Sequence, residues 1–361
     1  MEIWEFIDSA ARRINERERK INSMLQNLAF LREIQLNEFG SPELSEERFV
    51  FKIPEEKING KVAGVDSGFC MRSFSGIDIM LVRTAGVVFE FKNSSLSRVD
   101  YLPKNIELPK PILREGLEKD EAFSSESVMR LMEELEIGIK LIENYRPDFL
   151  LLDGSIVPQY ADKPRKDSKV IDEYHQLIEK FQELYSKAIK NRCKVVGCVE
   201  DSRGSRLRQI IEEQILAKKG INIKELNQIL DSRLVAGILR KGERSFAFKY
   251  SPNIAKHPIL VDMEEKFAEN IYVFYLKASE FDMPLRLEFI AANNNITKEA
   301  DKIASLCYAL SSLHRGYSYP SVLIEADLRA RLQSNEIEIV FSRIANRISP
   351  ALKMRRSSRP F

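Results

Sequence analysis

Two aspartates stand where a short apolar run gives way to a turn-like tripeptide: Asp66 after residues 62–65, and Asp153 after residues 149–152. Both runs read as strands, and ligands of open α/β sheets bind beyond the carboxyl ends of such strands. Two carboxylates at one sheet edge repel and raise each other's pKa unless a cation neutralises them, which a hard divalent metal does. An acid before Ser-Gly or Gly-Ser is also ordinary turn chemistry, so each aspartate alone carries either reading. Two more acids qualify by helical phase. With Leu135 at the centre of an apolar stripe, steps of about 100° place Glu134 and Glu136 on its flanks and Glu133 towards solvent. Glu134 therefore either reaches the sheet margin or is a solvated surface acid. Asp327 follows Leu323 by four residues, on the face of Ala326 and Ala330, and is either an Arg-paired core acid or a ligand. Other metal chemistry is excluded: His175, His257 and His314 are too scattered for a paired-His zinc site, and Cys70, Cys193, Cys198 and Cys307 lack C-x-x-C spacing and read as reduced core residues.

The elements that must position these acids are legible in outline. Apolar residues from Ile3 to Leu31 recur at gaps of three and four, which predicts a long helix with a seam that packs on its own domain or meets a second chain. Residues 38–57 read as a connector. The strand at 62–65 is expected to end in a turn at Asp66-Ser67-Gly68, followed by strands at 77–83 and 86–91 joined by a turn at Ala85-Gly86. A helix at 127–144, a buried strand at 149–152, a helix at 171–191 and a strand at 193–199 follow. This order predicts an α/β fold, a mixed sheet flanked by crossover helices. Residues 203–260 read as a helix-rich insertion before strands at 271–276 and 285–290, and a last helix begins at Pro320. The tail, residues 341–361, is basic and carries no acid. Hence residues 1–57 form a helical arm and connector, 58–340 the main domain and 341–361 a tail.

At 361 residues, with 44% hydrophobic and 30% charged residues, the chain exceeds the span of one small core and is too apolar to be disordered. Its longest apolar runs are far too short to cross a bilayer, and its first residues show no secretory pattern, so a cytoplasmic protein without membrane contact is expected. Lys plus Arg number 56 against 54 Asp plus Glu, a balance that neither implies nor excludes nucleic acid.

Several motifs in order carry a resemblance: Asp66-Ser67-Gly68, Leu151-Leu152-Asp153-Gly154-Ser155, Gly242-Glu243-Arg244-Ser245, Leu285-Arg286-Leu287-Glu288, and Gly316-Tyr317-Ser318-Tyr319-Pro320 followed by Leu323-Ile324-Glu325-Ala326-Asp327. Together they resemble the NurA nuclease family over about residues 61–332. The resemblance implies an RNase H-like fold and a manganese-dependent nuclease acting on DNA ends and single strands, with 5′–3′ exonuclease and single-strand endonuclease activity in the resection of DNA ends. It also implies a homodimer and a HerA-type hexameric ATPase as partner. By the same resemblance Asp66 and Asp153 match strand-end ligands, Glu134 the helix glutamate with Glu133 as competitor, and Tyr319 an active-site tyrosine. Where some members carry a histidine eight residues after that tyrosine, this chain has Asp327. An all-carboxylate set suits two Mn²⁺ or Mg²⁺ ions. Arg203, Arg206 and Arg244 are the expected DNA contacts. The competing readings are an actin- or hexokinase-like ATPase, whose phosphate loops also follow a strand with an acid-Ser-Gly turn, and a catalytically silent DNA clamp of the same fold.

Overall fold

The computed structural model describes residues 3–74, 77–223, 226–291, 295–312 and 316–347. His314 and most of the basic tail, including Lys353, Arg355, Arg356 and Arg359, lie outside the described residues. In chain order the strands are β1 (Val50–Lys52), β2 (Gly60–Phe74), β3 (Ile77–Lys92), β4 (Ser95–Leu102), β5 (Lys110–Glu115) and β6 (Phe149–Asp153). They continue as β7 (Lys194–Val199), β8 (Glu243–Ser245), β9 (Phe248–Lys249), β10 (Ile271–Lys277) and β11 (Leu285–Ile290). The helices are α1 (Ile3–Asn27), α2 (Lys119–Tyr145), α3 (Ile171–Lys190), α4 (Arg206–Ile210), α5 (Asp231–Ala236), α6 (Glu265–Ala268), α7 (Ile296–Ser311), α8 (Ser321–Ala330) and α9 (Ser334–Ala345). Among the described residues no helix is long and apolar enough to cross a membrane.

The chain divides into two compact units. One holds residues 57–198, 253–270 and 320–361. Its strands run in the order β4-β3-β2-β6-β7, with β5 also on β3. The meander β2-β3-β4 is antiparallel, whereas β6 lies parallel to β2 and β7 parallel to β6. Three antiparallel strands followed by two parallel ones reached through helices is the RNase H-like arrangement. The near-continuous apolar run of β6 is what a strand covered on both faces requires, and Phe149, Leu150, Leu151 and Leu152 are all buried.

Two expected turns are absent. The strand carrying Asp66 does not stop there: β2 runs on to Phe74, and Ala85-Gly86 lies inside the single strand β3, opposite Asp66 and Val65. The glycines serve close packing instead. A Cβ at Gly68 would collide with the carbonyl oxygen of Ala330 in α8, and one at Gly86 would lie 2.7 Å from Leu141 and 2.9 Å from Ile137 in α2. Val65 and its partner Gly86 share one face, and Asp66 and Gly68 share the other, so α8 and α2 cover opposite faces of the sheet. Gly68→Ala is therefore expected to cost about 1–3 kcal/mol through forced backbone displacement. A urea midpoint equal to that of the unaltered protein would show that α8 does not press on this strand.

The other unit holds residues 1–56, 199–252 and 271–319. Here β1, β8, β10 and β11 pair in that order, antiparallel, with β9 on β10. The connector at 38–57 thus contains a strand, and the helix-rich insertion contains two, because each edge finds its partner far away in sequence. Its core gathers Met24, Leu28 and Leu31 with Ile210, Leu234, Phe246 and Tyr275. The outer part of α1 is not covered: Ile3, Trp4, Ile7 and Ile14 are exposed.

Candidate active site

Asp66, Glu134, Asp153 and Asp327 belong to one unit, whereas Tyr319, Arg203, Arg206 and Arg244 belong to the other. Val65 and Leu152 form the last register pair between β2 and β6, so Asp66 and Asp153 are the next residues on neighbouring strands, roughly 4.8 Å apart from strand to strand, and share a face. Asp66 is buried and flanked by the glycines against which α8 lies. Glu134 arrives from α2, also buried, and accepts hydrogen bonds from the Ser67 hydroxyl and from Arg130 Nη1, the latter at 2.5 Å. Glu133, by contrast, turns outward and pairs with Lys110 at 2.5 Å.

The electrostatics follow from this crowding. Burial, then the charges of Asp153 and Glu134 and more weakly that of Asp327, push the Asp66 carboxyl up to about 8, against the pull of the Ser67 amide, which donates to Asp66 Oδ1 at 2.6 Å. Burial also raises Glu134, with the Arg130 guanidinium and the Ser67 hydroxyl opposing it. Arg130 in turn is held charged by Glu134 first and by Asp66, Asp162 and Asp153 as well. Sequence reasoning missed both Arg130 and Ser67. The signal for Arg130 was available: it precedes Glu134 by four residues, the spacing of a helical ion pair.

Asp327 is corrected in one respect. It was expected on the buried face of its helix, but its side chain is 46% exposed and pairs with Arg331 at 2.6 Å. Val322, Leu323, Ala326 and Ala330 form the buried face of α8, and Asp327 stands at its margin. Tyr319 is buried. Arg244 is also corrected: it is fully buried, paired with Glu46 at 2.8 Å and Asp301 at 2.6 Å, so no phosphate reaches it. Arg206 is half-buried against Glu43, and Arg203 is exposed.

Among the described residues no three His, Cys, Asp or Glu side chains stand at the spacing of a metal site. The chemistry of the donor set nevertheless fits a hard divalent cation. Asp153, Glu134 and Asp327 all act on Asp66, with Arg130 as the cation among them, and burial together with these like charges raises the Asp66 carboxyl in a way that a bound cation would relieve. Oxygen donors of this kind select Mg²⁺ or Mn²⁺ over softer metals.

Comparison with known proteins bears on the fold and the family. No curated protein matches the sequence. Among solved structures, the NurA nuclease from Sulfolobus solfataricus is similar at a TM-score of 0.54 and 17% identity, over 94% of this chain and 99% of that one. A NurA structure bound to dAMP and manganese is similar at a TM-score of 0.52 and 11% identity, over 95% of this chain and 98% of that one. These likenesses concern the fold. The NurA domain model matches residues 60–332, a span that contains all four acids and every strand but β1, and on that match the chain belongs to the NurA family.

Proposed function

We propose that the protein is a metal-dependent nuclease that hydrolyses phosphodiester bonds at DNA ends and within single strands, as a 5′–3′ exonuclease and single-strand endonuclease in the resection of DNA ends. The observation that carries this reading is the meeting of Asp66 and Asp153, one step beyond the last register pair of neighbouring strands, with the buried Glu134 of α2, a crowding in which burial and the neighbouring acids raise the Asp66 carboxyl. Asp66, Glu134, Asp153 and Asp327 would hold Mn²⁺ or Mg²⁺, and the similarity to a structure containing dAMP and manganese supports that choice. When bound, such an ion polarises a water and neutralises charge on a phosphate. The chain itself supplies the rest. Arg130 and Ser67 fix the Glu134 carboxylate in place, and Arg130 offers a positive charge beside the acids for an incoming phosphate. Tyr319 is kept as a group that orients the phosphate or its water, and Arg203 and Arg206 as contacts to the DNA backbone; Arg244 is not, because its guanidinium is consumed in the core. The exposed apolar residues of α1 support pairing with a second copy and docking on a HerA-type hexameric ATPase.

End-labelled single-stranded and duplex DNA incubated with Mn²⁺, with and without ATP, tests the reading. Cleavage that needs Mn²⁺, is independent of ATP and stops with EDTA is expected. Hydrolysis of ATP without DNA cleavage would instead favour the ATPase reading, and binding without cleavage the silent clamp.

A further inference from the structure

The part of α2 leading away from Glu134 carries a feature that the hydrolytic site does not use. Arg130, Ser127 and Phe123 precede Glu134 by four, seven and eleven residues. At about 100° per residue all three stay within roughly 40° of Glu134 around the helix, and Phe123 lies about 16 Å along it. The line is built, not incidental. At one end Arg130 grips Glu134. Midway, Ser127 Oγ donates to Asp162 Oδ1 at 2.6 Å, and Asp162 Oδ2 accepts the Gln159 amide at 2.6 Å. These bonds pin the short 3-10 turn Tyr160–Asp162 to α2, in the loop that directly follows the Asp153 strand. The outcome is that Tyr160, 74% exposed, and Phe123, 59% exposed, line one cavity of about 310 Å³ together with Pro164 and Arg165.

A single exposed ring is common on protein surfaces; two in one cavity, aligned with a carboxylate at the site, call for a ligand. The cavity carries both signs of charge, Asp120 and Glu121 against Lys163 and Arg165, so its acids do not by themselves select a cation. Glu121 is spent on Ser168 and on the Lys169 amide, and Arg165 makes only exposed contacts with Glu118 and Asp167, so its guanidinium can exchange partners. Aromatic rings beside an arginine suit a nucleobase with its phosphate, because every base offers a π-face whatever the sequence.

We propose that Phe123 and Tyr160 form a stacking platform for a nucleobase of single-stranded DNA, a few nucleotides along the strand from the phosphate at Glu134. This rests on the nuclease reading of the Asp66 and Asp153 site and adds what grips the strand beyond it. The test uses Phe123→Ala and Tyr160→Ala beside the ring-preserving Phe123→Trp and Tyr160→Phe, with fluorescently labelled oligothymidylate in EDTA. Anisotropy should show binding weakened roughly tenfold by each alanine and little changed by the ring-preserving variants. An abasic oligomer of equal length, which keeps the phosphates, should bind the unaltered protein more weakly and no longer distinguish it from the alanine variants. In Mn²⁺ the alanine variants should raise KM more than they lower kcat. Alanine variants that bind oligothymidylate as tightly as the unaltered protein, or that lose equal affinity for the abasic strand, would overturn the platform. The two readings fail separately. If the unaltered protein cuts no DNA in Mn²⁺ but the alanines still weaken binding in EDTA, the nuclease reading falls and the platform stands; cutting with unchanged binding gives the reverse.

Discussion

Asp66→Asn and Asp153→Asn are each expected to lower DNA cleavage on the order of 10³-fold or more while leaving single-strand binding largely intact, since each removes a metal ligand and not a phosphate contact. For Asp66 the same substitution has a second effect, on stability, with a definite sign. An acid whose pKa is raised on folding, here to about 8, keeps a proton that the unfolded chain has already released above about 4. The unfolded state therefore binds fewer protons across that window, and the metal-free protein loses stability as pH rises from about 4 through about 8. Above that the full cost is present. Asp66→Asn removes the titrating group, so in EDTA its urea midpoint should exceed that of the unaltered protein at pH 8 and differ less at pH 5. A residue that stabilises the fold would do the opposite. Normal cleavage rates in either variant would remove that aspartate from the site, and a metal-free Asp66→Asn less stable at pH 8 would show that the Asp66 carboxylate is not a cost to the fold.

The second large effect is expected at Arg244. Its guanidinium, fully buried, gives Nη1 and Nη2 to the Glu46 carboxylate at 2.9 and 2.8 Å and Nε to Asp301 at 2.7 Å, with the Phe51 ring 4.1 Å from its centre. Glu46 also accepts the Ala247 amide. Arg244→Ala leaves that carboxylate buried with its countercharge gone, at a cost of about 3–5 kcal/mol. Adding Glu46→Gln to Arg244→Met should recover part of the loss, because the fully buried charge is then gone and only the partly exposed Asp301 loses its partner. Denaturant unfolding of the three variants measures this. An Arg244→Ala protein of unchanged stability but weakened DNA affinity would return this arginine to the DNA path.

How much of this was legible in the sequence depended on where the deciding contact lay. The strand at Asp153 was readable because four consecutive apolar residues before a turn signal have few other uses, and α3 because its apolar stripe is uninterrupted. The strand at Asp66 was misread at its far end: Asp-Ser-Gly is a turn signature locally, and only the fifteen-residue pairing of β2 with β3 overrides it. Gly68 and Gly86 looked like punctuation and are instead the places where helices touch strands. Glu134 could be favoured over Glu133 by phase, but its ties to Ser67 and Arg130 depend on how α2 lies over the sheet. Arg244 gave no local sign of burial, since its partner Glu46 lies 198 residues away.

The length of β2 beyond Asp66 also bears on where this protein can be cut. Phe74, Ile79 and Leu81, at the far end of the β2–β3 ladder, are buried with Phe341 of α9, and Arg72 reaches the same helix through Glu338 and the Phe341 ring. Arg83 is tied to it through Glu336 at 2.7 Å. The family match closes at residue 332, two residues before α9 begins. A fragment trimmed to the match would keep every acid of the site yet strip the lining from the strand that bears Asp66, and the newly bared ladder would be a nucleus for aggregation. For this chain the boundary of resemblance and the boundary of a foldable piece are different residues.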